Sequence, residues 1–260
     1  MKVHKLLLVL VFPVVFSGCL EINEDITVSK TGAGNYAMKM DMGQLVEMMQ
    51  SFMPKEEMEK AQLDRPRDTT ILLKDYMDST SALSAEEKNL LRDGSMHLNM
   101  NMDQKVFKVD MQYPFSSLAN LQKLYVNLGK SAGGFGSMLG AMGGGAGGVG
   151  AEAMQSPNLN KISSYYDLIT DKNSISRKLN KERFDAMKDD SMMSQLKQMS
   201  GMGAGMVDMK MNMIVHLPAA AKTIKGQKAT LSADKKTVTV QNNMLDVFEH
   251  PELFEFSVQY

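Results

Sequence analysis

The chain has 260 residues, 43% hydrophobic and 23% charged, with a formal net charge of -1. That is enough material for one globular domain, or two closely joined lobes, with a full core. So even a charge balance excludes a protein drawn to nucleic acid by bulk electrostatics, and a single cysteine, Cys19, excludes an internal disulfide.

At the N-terminus Lys2 and Lys5 precede an apolar run, Leu6 to Phe16, that ends in the small residues Ser17 and Gly18. This is the pattern of a secretory signal peptide over residues 1–18. The run of 11 residues is shorter than the roughly 17 to 25 that span a bilayer as a permanent helix. Its removal leaves 27 basic against 30 acidic residues.

The quartet Phe16-Ser17-Gly18-Cys19 resembles the lipobox of bacterial lipoproteins, with Phe16 in place of the usual Leu. The resemblance implies that the Cys19 thiol carries a diacylglycerol, that the chain is cut before Cys19, and that the new amino group is acylated. Burying such chains, at about 0.8 kcal/mol per CH₂, anchors a soluble domain to a membrane. Leu20, rather than Asp, follows the cysteine, which in Gram-negative relatives implies the outer membrane. The acids Glu21, Glu24 and Asp25 resemble the surface-export signals of Bacteroidota lipoproteins.

Past Cys19 the sequence alternates at once. Leu20, Ile22, Ile26 and Val28 share one parity, Gly32 and Gly34 supply a turn, and Tyr36, Met38, Met40 and Met42 return on one face, which predicts a β-hairpin. Leu45, Met48, Met49, Phe52 and Met53 recur at helical spacing before Pro54. Residues 55–68 read as a partly helical connector, and Ser84 with Glu87 has capping-box spacing ahead of a second helix. A second hairpin places Met96, Leu98, Met100 and Met102 opposite Phe107, Val109, Met111 and Tyr113, with Pro114 predicted to end the strand. A helix follows with Leu118, Leu121, Leu124, Tyr125 and Leu128 on its buried stripe. These elements make a first lobe, 19–128.

Residues 129–157 form a glycine-rich insert: 11 of the 20 glycines fall between Gly129 and Gly150, a composition suited to a flexible loop. The remainder, 158–260, completes the same domain. It holds a hairpin turning at Asp171 to Asn173, a helix capped at Asn180 and ended by Gly201, Gly203 and Gly205, and a strand with Val207, Met209, Met211, Met213, Val215 and Leu217 on one face. A further hairpin turns around Ala233 to Lys235, and a last strand alternates Phe254, Phe256, Val258 and Tyr260. Hairpins interspersed with helices predict an α+β fold: a largely antiparallel sheet with helices on its methionine-rich face. Behind the lipobox, the Thr31-Gly32-Ala33-Gly34-Asn35-Tyr36 turn faintly resembles mycobacterial LppM-type lipoprotein domains and uncharacterised Bacteroidota envelope lipoproteins. That resemblance implies no active site.

Chemistry is sparse. No G-x-S-x-G, H-E-x-x-H, P-loop or EF-hand pattern occurs, the histidines are scattered, and Ser137 sits in the glycine-rich stretch, so no enzyme and no cofactor are expected. Methionine is the one enriched candidate. Met38, Met40, Met42, Met209, Met211 and Met213 alternate on strand faces, and thioethers bind soft ions such as Cu(I). Against a dedicated metal site, methionine is as frequent as leucine, at 26 each, and keeps to the parity of the other core residues. His97 and His216 fall on the opposite parity. A third possibility is a methionine-lined groove for a lipid tail or apolar peptide. The sequence therefore predicts a lipid-anchored, non-enzymatic envelope protein that binds or assembles, with the membrane, a lipid or an envelope protein as partner and no nucleic acid.

Overall fold

The computed structural model describes residues 20–52, 54–60, 65–77, 84–130, 161–187 and 209–260. Cys19 with the signal segment, the glycine-rich stretch beyond residue 130, and residues 188–208 with Met192, Met193, Met199 and their terminating glycines lie outside these.

The first hairpin pairs β1 (Leu20–Val28) with β2 (Gly34–Asp41). The turn between them uses Gly32 at φ +83°, a left-handed conformation open to glycine. At Gly34 the backbone crosses so close to the Thr27 carbonyl and the Phe115 ring that a Cβ has no room. Helices α1 (Gly43–Phe52) and α2 (Lys55–Lys60) follow, separated at Pro54. Then come β3 (Arg67–Leu72), α3 (Leu73–Met77) and α4 (Ala85–Leu91). The anticipated capping box is formed: Glu87 N–H donates to Ser84 Oγ (3.3 Å), and Ser84 N–H donates to Glu87 Oε2 (2.8 Å). The second hairpin is β4 (Ser95–Asn101) with β5 (Val106–Phe115), followed by α5 (Leu118–Lys130).

The second half opens with α6 (Lys161–Ser164) and the hairpin β6 (Tyr166–Asp171) and β7 (Ser174–Leu179). Helix α7 (Lys181–Met187) starts where Asn180 Oδ1 accepts the Arg183 N–H (3.1 Å). Strands β8 (Met209–His216), β9 (Thr223–Lys225), β10 (Ala229–Leu231) and β11 (Thr237–Asn243) follow. The chain closes with α8 (Asp246–Glu249), a 3₁₀ turn (Pro251–Phe254) and β12 (Phe256–Gln259).

The fold is α+β, as the periodicities require, but its strands form two sheets. The larger has eight strands in the order β10-β11-β8-β1-β2-β5-β4-β3, and the smaller has four in the order β6-β7-β12-β9. All pairings are antiparallel except β1 with β8. β1 therefore lies in the interior of the large sheet, joining strands from both halves of the chain.

The structure departs from the expected elements in four respects, one of them that Phe254, expected on the last strand, lies in the 3₁₀ turn before it. Residues 67–72 belong to an edge strand, built on the β-branched run Thr69, Thr70 and Ile71. The smaller sheet adds β9 and shares the covering of the methionine-rich face with α5. Pro114 does not end β5, which continues to Phe115. The β4 pairing stops at Ser95 opposite Gln112, so Pro114 faces a strand on one side only, opposite Asn35. A missing N–H is tolerated at such an edge.

The inner face of the large sheet is a grid of rows. One row runs Val240, Met213, Glu24, Met38, Met111, Met96, Ile71, each residue registered opposite the next. The adjacent rows are Met211, Ile22, Met40, Val109, Leu98 on one side and Val238, Val215, Ile26, Tyr36, Tyr113 on the other. Cross-strand neighbours on one face are the packing unit of a sheet, and nearly all of these are apolar and buried. The exception is Glu24, at the centre.

Candidate functional site

Glu24 is fully buried and its partner, Arg177 on β7, is 1% exposed. Each occupies an apolar parity: Glu24 lies between Ile22 and Ile26, and Arg177 between Ile175 and Leu179. Because β1 belongs to the large sheet and β7 to the small one, the pair ties the two sheets together through the core. Arg177 Nη1 donates to Glu24 Oε2 (3.3 Å) and contacts Met213 Sδ (3.4 Å). The second carboxylate oxygen, Glu24 Oε1, accepts a short hydrogen bond from Ser163 Oγ on α6. The guanidinium carbon lies 4.3 Å from the centre of the Tyr166 ring and 5.9 Å from that of Phe254, within range of the attraction between a cation and an aromatic face. Tyr166 is itself held by its hydroxyl, which donates to the Pro251 carbonyl (2.9 Å).

A shell of tyrosines closes the cluster. Tyr125, from α5, sets its ring edge-on to Tyr36 at 6.1 Å, and Tyr36 lies 6.3 Å from Tyr113. Burial pushes the hydroxyls of Tyr36, Tyr113, Tyr125 and Tyr166 well above the ordinary phenol range, and the charge of Glu24 adds to the effect at Tyr36, Tyr125 and Tyr166. Burial works against the Arg177 charge, but Tyr125, Glu24, Tyr166 and Tyr36 more than offset it and hold its pKa above the usual arginine value. The arrangement retains a charge pair in the core, with the Arg177 Nε and Nη2 donors left without a partner among the described residues. No imidazole takes part in these contacts.

All six candidate methionines lie in the packed core. Met38, Met40 and Met42 are 3, 4 and 5% exposed, and Met209, Met211 and Met213 are 4, 2 and 2% exposed. The register brings Met38 and Met213 to either side of Glu24, while Met40 and Met211 flank Ile22 in the next row. His97 and His216 sit on the opposite, polar face, beside Asp68 (2.7 Å) and Asp25 (3.4 Å). On that face Asn212 donates to both Glu21 Oε1 (2.8 Å) and Asn23 Oδ1 (2.9 Å). Among the described residues no group of three or more His, Cys, Asp or Glu side chains is placed to hold a metal ion.

Glu24 separates from Glu21 and Asp25, the acids grouped with it as an export-like motif. Glu21 and Asp25 face the polar side, and Glu24 lies in the core of the folded domain. Sequence reasoning missed the role of Glu24 and missed Arg177 altogether. The available signal was a lone charge on an apolar parity in each of two strands, with opposite signs.

No protein-family model matches the chain, and no curated protein matches it. Among solved structures, the chain is similar to the folded domain of the Mycobacterium tuberculosis LppM protein, determined by NMR. The identity is 10%, the alignment covers 93% of this chain and 88% of that one, and the TM-score is 0.34.

Removing one member of a buried pair strands the other charge, whereas removing both leaves an apolar core. Arg177→Met alone is expected to lower unfolding free energy by about 3 to 5 kcal/mol. The Glu24→Leu/Arg177→Met double variant should lose much less than the sum of the two singles, as read by urea unfolding. Additive losses would count against a direct pair. A second expectation concerns alkaline pH. The unfolded chain releases its tyrosine protons near pH 10 while the folded chain holds those of Tyr36, Tyr113, Tyr125 and Tyr166, so stability is retained below that pH and falls above it. The slope is about 1.4 kcal/mol per pH unit for each such group. Phenolate absorbance of these four should appear only with unfolding.

Proposed function

We propose that this protein is a lipid-anchored envelope lipoprotein with a non-enzymatic binding or assembly role, held at the outer membrane through Cys19. The observation that carries this reading is the position of the fold's first element. β1 starts at Leu20, the residue after the lipobox cysteine, and runs directly into the interior of the large sheet. Cutting before Cys19 thus removes the signal segment and leaves every described element intact. Among the described residues no helix is long and apolar enough to cross a membrane, in keeping with attachment by acyl chains.

The burial of Glu24, Ser163 and Arg177 supports the non-enzymatic half of the reading. These side chains converge, but at 0, 4 and 1% exposure they lie where a substrate does not reach. The packed state of the six methionines favours a structural use of the sulfurs, since a flexible thioether fills irregular gaps around a charge pair.

The test is mass spectrometry of the protein extracted from its native membrane. The N-terminal peptide should begin at Cys19 and carry the mass of a diacylglycerol thioether and an N-acyl chain, and Cys19→Ser should abolish the modification and release the protein from the membrane fraction. An unmodified Cys19, or a mature chain starting beyond it, would contradict the proposal. In the same extract, a stoichiometric protein partner supports assembly, and a stoichiometric lipid supports ligand binding.

A further inference from the structure

Positive charge is concentrated in one short segment. Between Pro218 and Lys236 the chain carries Lys222, Lys225, Lys228, Lys235 and Lys236 against a single acid, Asp234, while the rest of the chain has 24 basic against 29 acidic residues. All five lysines are exposed. The fold brings Lys222, Lys235 and Lys236 together at one end of the large sheet. Leu217 N–H donates to the Lys236 carbonyl (2.7 Å) and Ala221 N–H to the Lys235 carbonyl (2.8 Å), so the loop leaving β8 lies against the β10–β11 turn.

Little in the fold neutralises this charge. Asp234 is engaged locally by the Ser232 hydroxyl and the Lys236 N–H. Lys222 Nζ donates to the main-chain oxygen of Tyr260 (3.1 Å). Among the described residues Lys225, Lys228, Lys235 and Lys236 make no ion pair. At the other end of the sheet, by contrast, Lys105 pairs with Glu47 and Lys108 with Asp41 (3.1 Å). The register sets the distance between the two ends. Thr27 and Thr237 both align with His216, which places Lys235 and Lys236 beyond the C-terminal end of β1, about 23 Å along the strand from Leu20 at roughly 3.3 Å per residue, whereas Lys228, just before Ala229, lies level with Asn23 and Lys225 belongs to β9 of the small sheet. Lys30, exposed in the β1–β2 turn, adds to the same end.

We propose that this lysine-bearing end docks on an anionic lipid headgroup surface. Lysine is a point charge on a flexible stem and suits a diffuse charged plane better than a forked, bidentate ligand. The segment contains no Phe, Tyr or Trp, so it lacks the stacking platform with which proteins hold single-stranded nucleic acid. Its larger apolar side chains, Ile224 and Leu231, pack against the core and are not offered for insertion. Contact at headgroup level needs only charge, and each lysine brought near an anionic bilayer strengthens binding roughly fivefold.

The test is vesicle flotation of the chain carrying Cys19→Ser, so that no acyl chain drives binding, with vesicles of phosphatidylcholine alone or mixed equally with phosphatidylglycerol. Binding should be confined to the mixed vesicles and should fall between about 0.1 M and about 1 M salt as screening shortens to about 3 Å. Replacing the three free lysines of this end (Lys30→Gln, Lys235→Asn, Lys236→Gln) should weaken binding by about a hundredfold, roughly fivefold for each. Asn is chosen at position 235 because that residue has φ +59°, which Asn tolerates. The control Lys105→Asn/Lys108→Gln, which removes charge at the opposite end and again places Asn at a positive φ (+54°), should bind like the parent, and circular dichroism checks that each variant is folded. Equal binding to both vesicle types would overturn the proposal, as would a loss in the control equal to that in the lysine variant. Retention on a sulfated polysaccharide without vesicle binding would overturn it in favour of an anionic polymer.

Discussion

The ion pair between Glu24 and Arg177 is the constraint on which the rest of the structure depends. Two unlike charges, one on each sheet, are fully withdrawn from water, and such a pair is stable only when close and supported by further hydrogen bonds. Ser163 on the carboxylate, Met213 at the guanidinium and the Tyr166 and Phe254 rings supply that support. They come from the adjacent α6 and β6, from β8 and from the 3₁₀ turn, three separate regions of the chain. Meeting these contacts fixes how the small sheet sits on the large one at this point.

The methionines acquire a physical reason in this setting. A row of rigid, branched side chains around a buried carboxylate and guanidinium would leave gaps, and gaps in a core are costly. Unbranched thioethers fill irregular space and are polarizable beside charge. Met38 and Met213 flank Glu24, and Met111 and Met96 continue the row. The same geometry bears on attachment. With no spacer between Cys19 and β1, an acyl anchor on Cys19 would hold the large sheet by one of its interior strands, with the β1–β2 turn, Lys235 and Lys236 at the far end of that strand.

Much of this fold was legible from periodicity. The hairpins of β1 with β2, β4 with β5 and β6 with β7, the capping box of α4, the Asn180 cap and the α5 stripe all follow from local rules of spacing and capping. What local rules do not carry is which strands pair at long range. The parallel union of β1 with β8 and the division into two sheets depend on contacts between residues nearly two hundred positions apart. β3 was hidden because its apolar content is small and its neighbours are charged. Pro114 misled because the rule for proline in a strand depends on whether both edges are paired. The site itself is not read from the sequence: Glu24 groups with Glu21 and Asp25 as an export-like motif and Arg177 is not singled out, although each stands alone on an apolar parity, and only the fold shows that they meet.

The central claim is that the buried pair makes the two sheets a single cooperative unit, and native-state amide hydrogen exchange tests it most directly. The account predicts that the amides of Ile22 to Ile26 on β1 and of Ile175 to Arg177 on β7 exchange only through global unfolding, with one shared opening free energy. If the small sheet exchanged through an opening of lower free energy while the large sheet stayed protected, the sheets would be separate units and the claim would be wrong.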